Sequence, residues 1–219
     1  MNFETPVLAA ATADLADEPA AREHADAVEF RMDLAGSPLD ALDGYDGELP
    51  VVATNRTVEE GGEAEAEGRL AALERAVEHP LVEAVDVELA AVDEAGSVLD
   101  HARDHGTKVV VSAHDFSGTP SRRAMAKTLT SAVDHGDVGK LAVTAESRED
   151  VLALLAVTNE IDTAGYAVAT MAMGAVGRHS RAVAPEYGSR IAYAPVDPAE
   201  ATAPGQYDLA TLAGLLDTL

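Results

Sequence analysis

Eight apolar, strand-like runs alternate with helical patterns along the chain, and this alternation restricts the possible folds more than any other feature. The runs lie at 6–11 (PVLAAA), 27–33 (AVEFRMD), 50–56 (PVVATNR), 84–89 (AVDVEL), 107–115 (TKVVVSAHD), 138–145 (VGKLAVTA), 166–173 (YAVATMAM) and 190–196 (RIAYAPV). Helical patterns occupy 63–79, 121–135, 147–162 and 208–219, and a short one falls near 38–43. Ser147 followed by Asp150 has the pattern of a capping box, and Asp208 is placed to cap the last helix. No linker, repeat or low-complexity tract interrupts the order. Strands followed by helices eight times over predict an α/β protein, one (β/α)8 TIM barrel spanning 1–219 as a single domain. A doubly wound open sheet is the alternative.

Composition narrows the function. The chain of 219 residues has no cysteine, so neither disulfides nor thiolate metal sites are expected. It has no apolar run long enough to span a membrane. Its start, MNFETPVLAA, lacks the basic region of a signal peptide, and a cytoplasmic location is expected. Thirty-nine acids against fifteen Lys plus Arg give a formal charge of -24. Such a surface repels nucleic acid and anionic membranes, so neither is expected as a partner. Self-repulsion of this size destabilises a compact state at low salt. At about 1 M salt the Debye length shrinks to roughly 3 Å and the repulsion is screened. The excess of Asp, Glu and Ala over Lys therefore points to a salt-loving host.

In a barrel of this kind the active site lies at the C-terminal ends of the strands. The polar residues there are Glu29, Arg31 and Asp33 on the second strand, and Arg56, then Glu60, after the third. The fourth carries Asp86 and Glu88, the fifth His114, and the sixth Lys140. Arg181 follows the seventh; Thr202 and Gln206 follow the eighth. Period two puts Glu29, Arg31 and Asp33 on one face of their strand.

Lys140 sits inside an apolar strand, in a chain whose only other lysines are Lys108 and Lys127. A strand lysine commonly snorkels to water. Taken out of water and set near other cations, a lysine is instead partly neutral at pH 7 and can attack a carbonyl to form a Schiff base. Arg31, Arg56 and Arg181 are expected to supply those cations. His114 ends the neighbouring strand and suits proton transfer beside such an adduct. Arginine forks match carboxylates, so the three arginines suggest an anionic substrate; the competing reading is ion pairing with Glu29 or Glu60. MGAVGRHSR (173–181) has the glycines and serine of an anion site, a weak signal alone. His101 and His105 are four apart on a helix, but a solvated face accounts for them better than a metal. No metal site is expected.

The motifs VEFRMD, TNRTVEEGG, DVEL, SAHDF, GKLAV, MGAVGRHSR and APGQ occur in the order found in type I 3-dehydroquinate dehydratases, and the chain resembles that family over nearly its whole length. The resemblance implies a cofactor-free, class I aldolase-like barrel of the shikimate pathway, usually a homodimer, whose partner is its small-molecule substrate. It implies that Lys140 forms an imine with the ketone and that His114 is the general base, supported by Glu60. It gives Glu29, Arg31 and Arg56 the substrate hydroxyls and their support, Arg181 the carboxylate, and Thr202 and Gln206 the closing loop. A serine is usual where this chain has Thr202. Asp86 takes a supporting part. Another Schiff-base aldolase-type barrel and a non-catalytic binding barrel are the alternatives.

Overall fold

The runs of Ala and Val leave few charged residues in mid-strand, which suits strands covered on both faces. The computed structural model, which describes residues 1–197, 199, 203 and 205–219, folds them as a barrel. The strands are β1 (Val7–Thr12), β2 (Ala27–Arg31), β3 (Val51–Thr54) and β4 (Val82–Glu88), then β5 (Lys108–Asp115), β6 (Val138–Thr144), β7 (Val168–Met173) and β8 (Ile191–Pro195). All neighbours pair in parallel, in the order β7-β6-β5-β4-β3-β2-β1-β8.

The ring is tightest from β4 to β7 and loosest at its seam. Between β7 and β8 there is one isolated bridge, Val168 to Ser189. Two hydrogen bonds support it. Arg190 N donates to Val168 O at 2.7 Å, and Thr170 N donates to Ser189 Oγ at 2.9 Å. A side chain thus takes over a bond that a strand backbone would otherwise make.

The interior is filled by Phe3, Ala9, Val52, Val110, Val138, Ile191 and Tyr193, among others. Helices Arg69–Val77, Gly96–His105, Arg122–Val133, Arg148–Thr163 and Leu209–Leu216 pack outside. The capping box forms as expected: Ser147 Oγ accepts from Asp150 N at 3.3 Å, and Asp150 Oδ2 accepts from Ser147 N at 2.8 Å. Asp208 caps the last helix through Thr211 N at 2.9 Å. The short helix is Pro38–Asp43.

The helix expected from residue 63 begins only at Arg69. Gly68 lies at φ 78, which no helix contains, and Ala64 bridges back to Thr57. Residues 57–68 are therefore a loop, and this loop carries Glu60. Among the described residues no helix is long and apolar enough to cross a membrane.

Candidate active site

The polar strand ends converge on one pocket at the C-terminal mouth. Glu29, Arg31, Arg56, Glu60, His114, Lys140, Arg181 and Gln206 all line it, with Tyr193, Met171 and Met173 forming apolar wall. Four of the chain's fifteen Lys and Arg residues are buried here, in a protein of net charge -24. Thr202 lies outside the described residues. Asp33 does not line the pocket; it takes the Arg31 guanidinium as a fork, Nε to Oδ1 at 2.9 Å and Nη2 to Oδ2 at 2.6 Å.

Lys140 points inward from β6 and is 4% exposed. Its charged neighbours differ from those expected. Nζ donates to Asp86 Oδ2 at 3.0 Å and lies 3.7 Å from Glu29 Oε1, so carboxylates rather than arginines touch it. Its other side rests over the Tyr193 ring, 4.3 Å from the centroid. The arginines act at one remove, because Arg56 Nη2 reaches the same Asp86 oxygen at 2.8 Å. Burial pushes the Asp86 carboxyl up, but Arg56 and Lys140 outweigh it and hold the group well below its usual range.

Arg56 also donates to Ser112 Oγ at 2.6 Å, and its Nη1 stands 3.4 Å from Glu88 Oε1. Burial lowers its proton affinity, and the Asp86 and Glu88 carboxylates more than restore it. Glu88 holds the next segment in place. It accepts from Thr57 N at 3.0 Å and from Arg69 Nη1 at 2.6 Å. The mates of Arg31 and Arg56 are therefore Asp33, Asp86 and Glu88, not Glu29 or Glu60. Period and spacing could not choose among acids on different strands.

The anchored loop turns sharply through Val58–Glu60 and brings Glu60 back over the mouth. Gly61 (φ 81) makes that turn possible, and a Cβ there would strike the Phe116 ring at 2.4 Å. Glu60 Oε2 then meets His114 Nδ1 at 2.8 Å. His114 stands on β5 one inward position beyond Ser112, which is paired with Lys140. Burial, together with Arg56 and Lys140, holds the imidazole well below its usual pKa. Burial also pushes Glu60 up to about 7, against the pull of Arg56. Both members of the pair thus lean toward their uncharged forms.

Arg181 is different. It is 3% exposed, and its Nε and Nη2 find no hydrogen-bond partner among the described residues. Burial lowers its pKa to about 10, with Glu29 opposing. Two buried guanidinium nitrogens without a described partner at a pocket wall can receive an anion. The serine of MGAVGRHSR serves the backbone instead: Ser180 Oγ accepts from Ala172 N at 2.8 Å. Gln206 Oε1 accepts from Ala203 N at 3.1 Å, which ties the loop after β8 to itself. No cluster of three or more metal-ligating side chains occurs among the described residues.

Two site residues escaped the sequence reading. Ser112 looks like any strand serine, and only its place opposite Lys140 in the β5–β6 register marks it. Tyr193 reads as a core aromatic until Lys140 is found above its ring.

Together the site offers a buried amine, a carboxylate-backed imidazole and a guanidinium whose Nε and Nη2 have no partner among the described residues, around one small cavity. That set can form a covalent adduct with a carbonyl, move a proton beside it and hold a carboxylate. The family model of type I 3-dehydroquinase matches residues 6–219. The 3-dehydroquinate dehydratase of Haloarcula marismortui is 60% identical over 100% of this chain and 98% of its own length. That of Halobacterium salinarum is 54% identical over 100% of both chains. The crystal structure of the Geobacillus kaustophilus 3-dehydroquinate dehydratase superposes with a TM-score of 0.87 at 27% identity, covering 99% of this chain and 91% of that one. A type I enzyme from Clostridium difficile, solved with covalently modified comenic acid, gives 0.85 at 26% identity over 98% and 92%. A match this long, reached independently from the sequence and from the barrel, makes the chain a member of the type I 3-dehydroquinase family.

Proposed function

We propose that Lys140 carries the reaction of the family as a Schiff-base nucleophile. The chain is a hydro-lyase of the shikimate pathway that removes water from 3-dehydroquinate to give 3-dehydroshikimate. In the proposed route the Lys140 amine adds to the C3 ketone, and loss of water leaves an imine. The imine draws electrons from C2, so His114 can take a C2 proton. The resulting enamine expels the C1 hydroxyl, which leaves as water with the proton returned by His114. A second water hydrolyses the imine and frees Lys140. Glu60 orients His114, Arg181 takes the substrate carboxylate, and Glu29, Arg31 and Arg56 face the hydroxyls. Gln206 and Thr202 complete the proposed set of substrate contacts. The proposed enzyme works as a homodimer in the cytoplasm.

The observation that carries this reading is Lys140 itself, buried on β6 at the floor of the pocket that His114 and Arg181 also line. An aldolase acting on phosphorylated sugars would need a phosphate site, and the serine of the glycine loop is already bonded to the β7 backbone at Ala172 N. The test is borohydride reduction in the presence of 3-dehydroquinate at high salt. Ligand mass should be fixed on the peptide containing Lys140, not Lys108 or Lys127. Lys140→Ala and Lys140→Arg should lose both labelling and turnover, since a guanidinium stays protonated. Mass on another lysine, or turnover without Lys140, overturns the proposal.

A further inference from the structure

Asp86 is the residue that touches Lys140 most closely, and Ser112 is what sets the direction of Asp86. All four members of this group are buried: Ser112 is 0% exposed, Asp86 1%, Arg56 and Lys140 4% each. They come from four neighbouring segments, on or just beyond β3, β4, β5 and β6. Arg56 Nη1 donates to Ser112 Oγ at 2.6 Å, and a guanidinium is only a donor. The single hydroxyl proton of Ser112 must therefore go to Asp86 Oδ1, at 2.5 Å. Ser112 thus holds Oδ1 on its own side, and Oδ2 is the oxygen that meets Lys140 at 3.0 Å and Arg56 Nη2 at 2.8 Å.

Ser112 also stands between Arg56 Nη1 and Asp86 Oδ1. Without it, both guanidinium nitrogens can close on both carboxylate oxygens, the geometry an arginine fork favours. The carboxylate would then turn toward Arg56 and away from Lys140. We infer that Ser112 is a positioning residue for the Lys140 amine: by keeping Arg56 from capturing Asp86 as a fork, it leaves one Asp86 oxygen to aim Nζ into the pocket. The inference rests on the imine reading of Lys140.

The experiment measures the single-turnover rate of cyanoborohydride trapping with 3-dehydroquinate at high salt, beside KM and kcat. Ser112→Ala should trap about tenfold more slowly or worse, with KM changed less than about threefold. Asp86→Asn should show the same defect, and adding Ser112→Ala to it should cost little more, because the two act in series. Ser112→Cys keeps the volume but donates weakly, and it should fall between wild type and Ser112→Ala; it carries the test alone if Ser112→Ala does not fold. A purely structural serine would lower the melting temperature and leave the trapping rate of the folded protein intact. Trapping at the wild-type rate in Ser112→Ala or Ser112→Cys, or two independent defects in the double variant, overturns the inference while the imine stands. Failure of the wild-type protein to trap on Lys140 removes the imine reading and this inference with it.

Discussion

His114 Nδ1 lies 2.8 Å from Glu60 Oε2, across 54 positions of sequence. The proton between them decides what the histidine can do. When Glu60 is ionised, Nδ1 carries the proton and Nε2 is free to act as a base. When Glu60 is protonated it donates to Nδ1, and Nε2 holds the proton of the neutral ring instead. With Glu60 raised to about 7 by burial, kcat should fall as the pH drops through about 7. His114, held low, should add no limb of its own near its ordinary value. In Glu60→Gln the limb near 7 should vanish and kcat should be lower throughout. A pH series of kcat at constant salt reads both effects.

The same shift makes a stability prediction. Glu60 has a higher pKa folded than unfolded, where it lies near 4.5. Below about 4.5 it is neutral in both states and costs nothing. As the pH rises through about 7 the folded protein must bear a buried carboxylate, and stability is lost. Glu60→Gln should therefore raise the melting temperature more at pH 8 than at pH 4. An equal effect at both values would mean that Glu60 ionises in the fold as it does in water.

Arg181 binds no described residue through Nε or Nη2, and the proposed function gives these nitrogens the substrate carboxylate. Arg181→Met should raise KM by about 10–100-fold, since hydrogen bonds to charged groups contribute roughly 1.5–3 kcal/mol. The same variant should melt at a higher temperature without substrate, because a buried unpaired cation has been replaced by an apolar chain. Thermal scans and steady-state kinetics on one preparation test the trade-off. A lower melting temperature would reveal a structural role for the guanidinium.

The seam of the barrel rests on Ser189, 1% exposed, whose Oγ accepts from Thr170 N. Ser189→Ala leaves that buried N–H unsatisfied and should cost about 1–3 kcal/mol. Urea unfolding at fixed high salt measures it. No change would mean that the β7–β8 seam adjusts to recover the bond.

Net charge of -24 should make folding depend on salt. The melting temperature should climb steeply between about 0.1 M and about 3 M KCl as surface repulsion is screened. The buried Arg56–Asp86 and Arg31–Asp33 pairs are shielded from solvent and should not weaken in parallel. A flat melting curve across that range would remove salt adaptation from the account of this surface.

The eight strands were legible because each apolar run is a local signal. From 6–11 to 190–196 every expected run contains or overlaps a strand of the barrel, and Ser147, Asp150 and Asp208 cap where their spacing says. The helix expected over 63–79 was too long by six residues at its start. The alanines and acids there are good helix formers, but Gly68 adopts a positive φ and the segment folds back against Thr57 instead. Convergence of Glu29, Arg56, Glu60, His114, Lys140 and Arg181 on one mouth also followed from strand order, since a barrel gathers the C-terminal ends of its strands.

The sequence by itself determined the barrel and the polar residues gathered at its C-terminal mouth, because hydrophobic period and strand order are properties of the chain read in one direction. Tertiary structure alone decided the partners. That Asp33 takes Arg31, that Asp86 is shared by Arg56 and Lys140, that Ser112 sits between two of them and that Arg181 Nε and Nη2 meet no described partner all depend on register and side-chain direction across separate strands. Charges of equal type at equal depth are interchangeable in a sequence; inside the barrel, a few ångströms decide which pair forms and which cation is left facing the pocket.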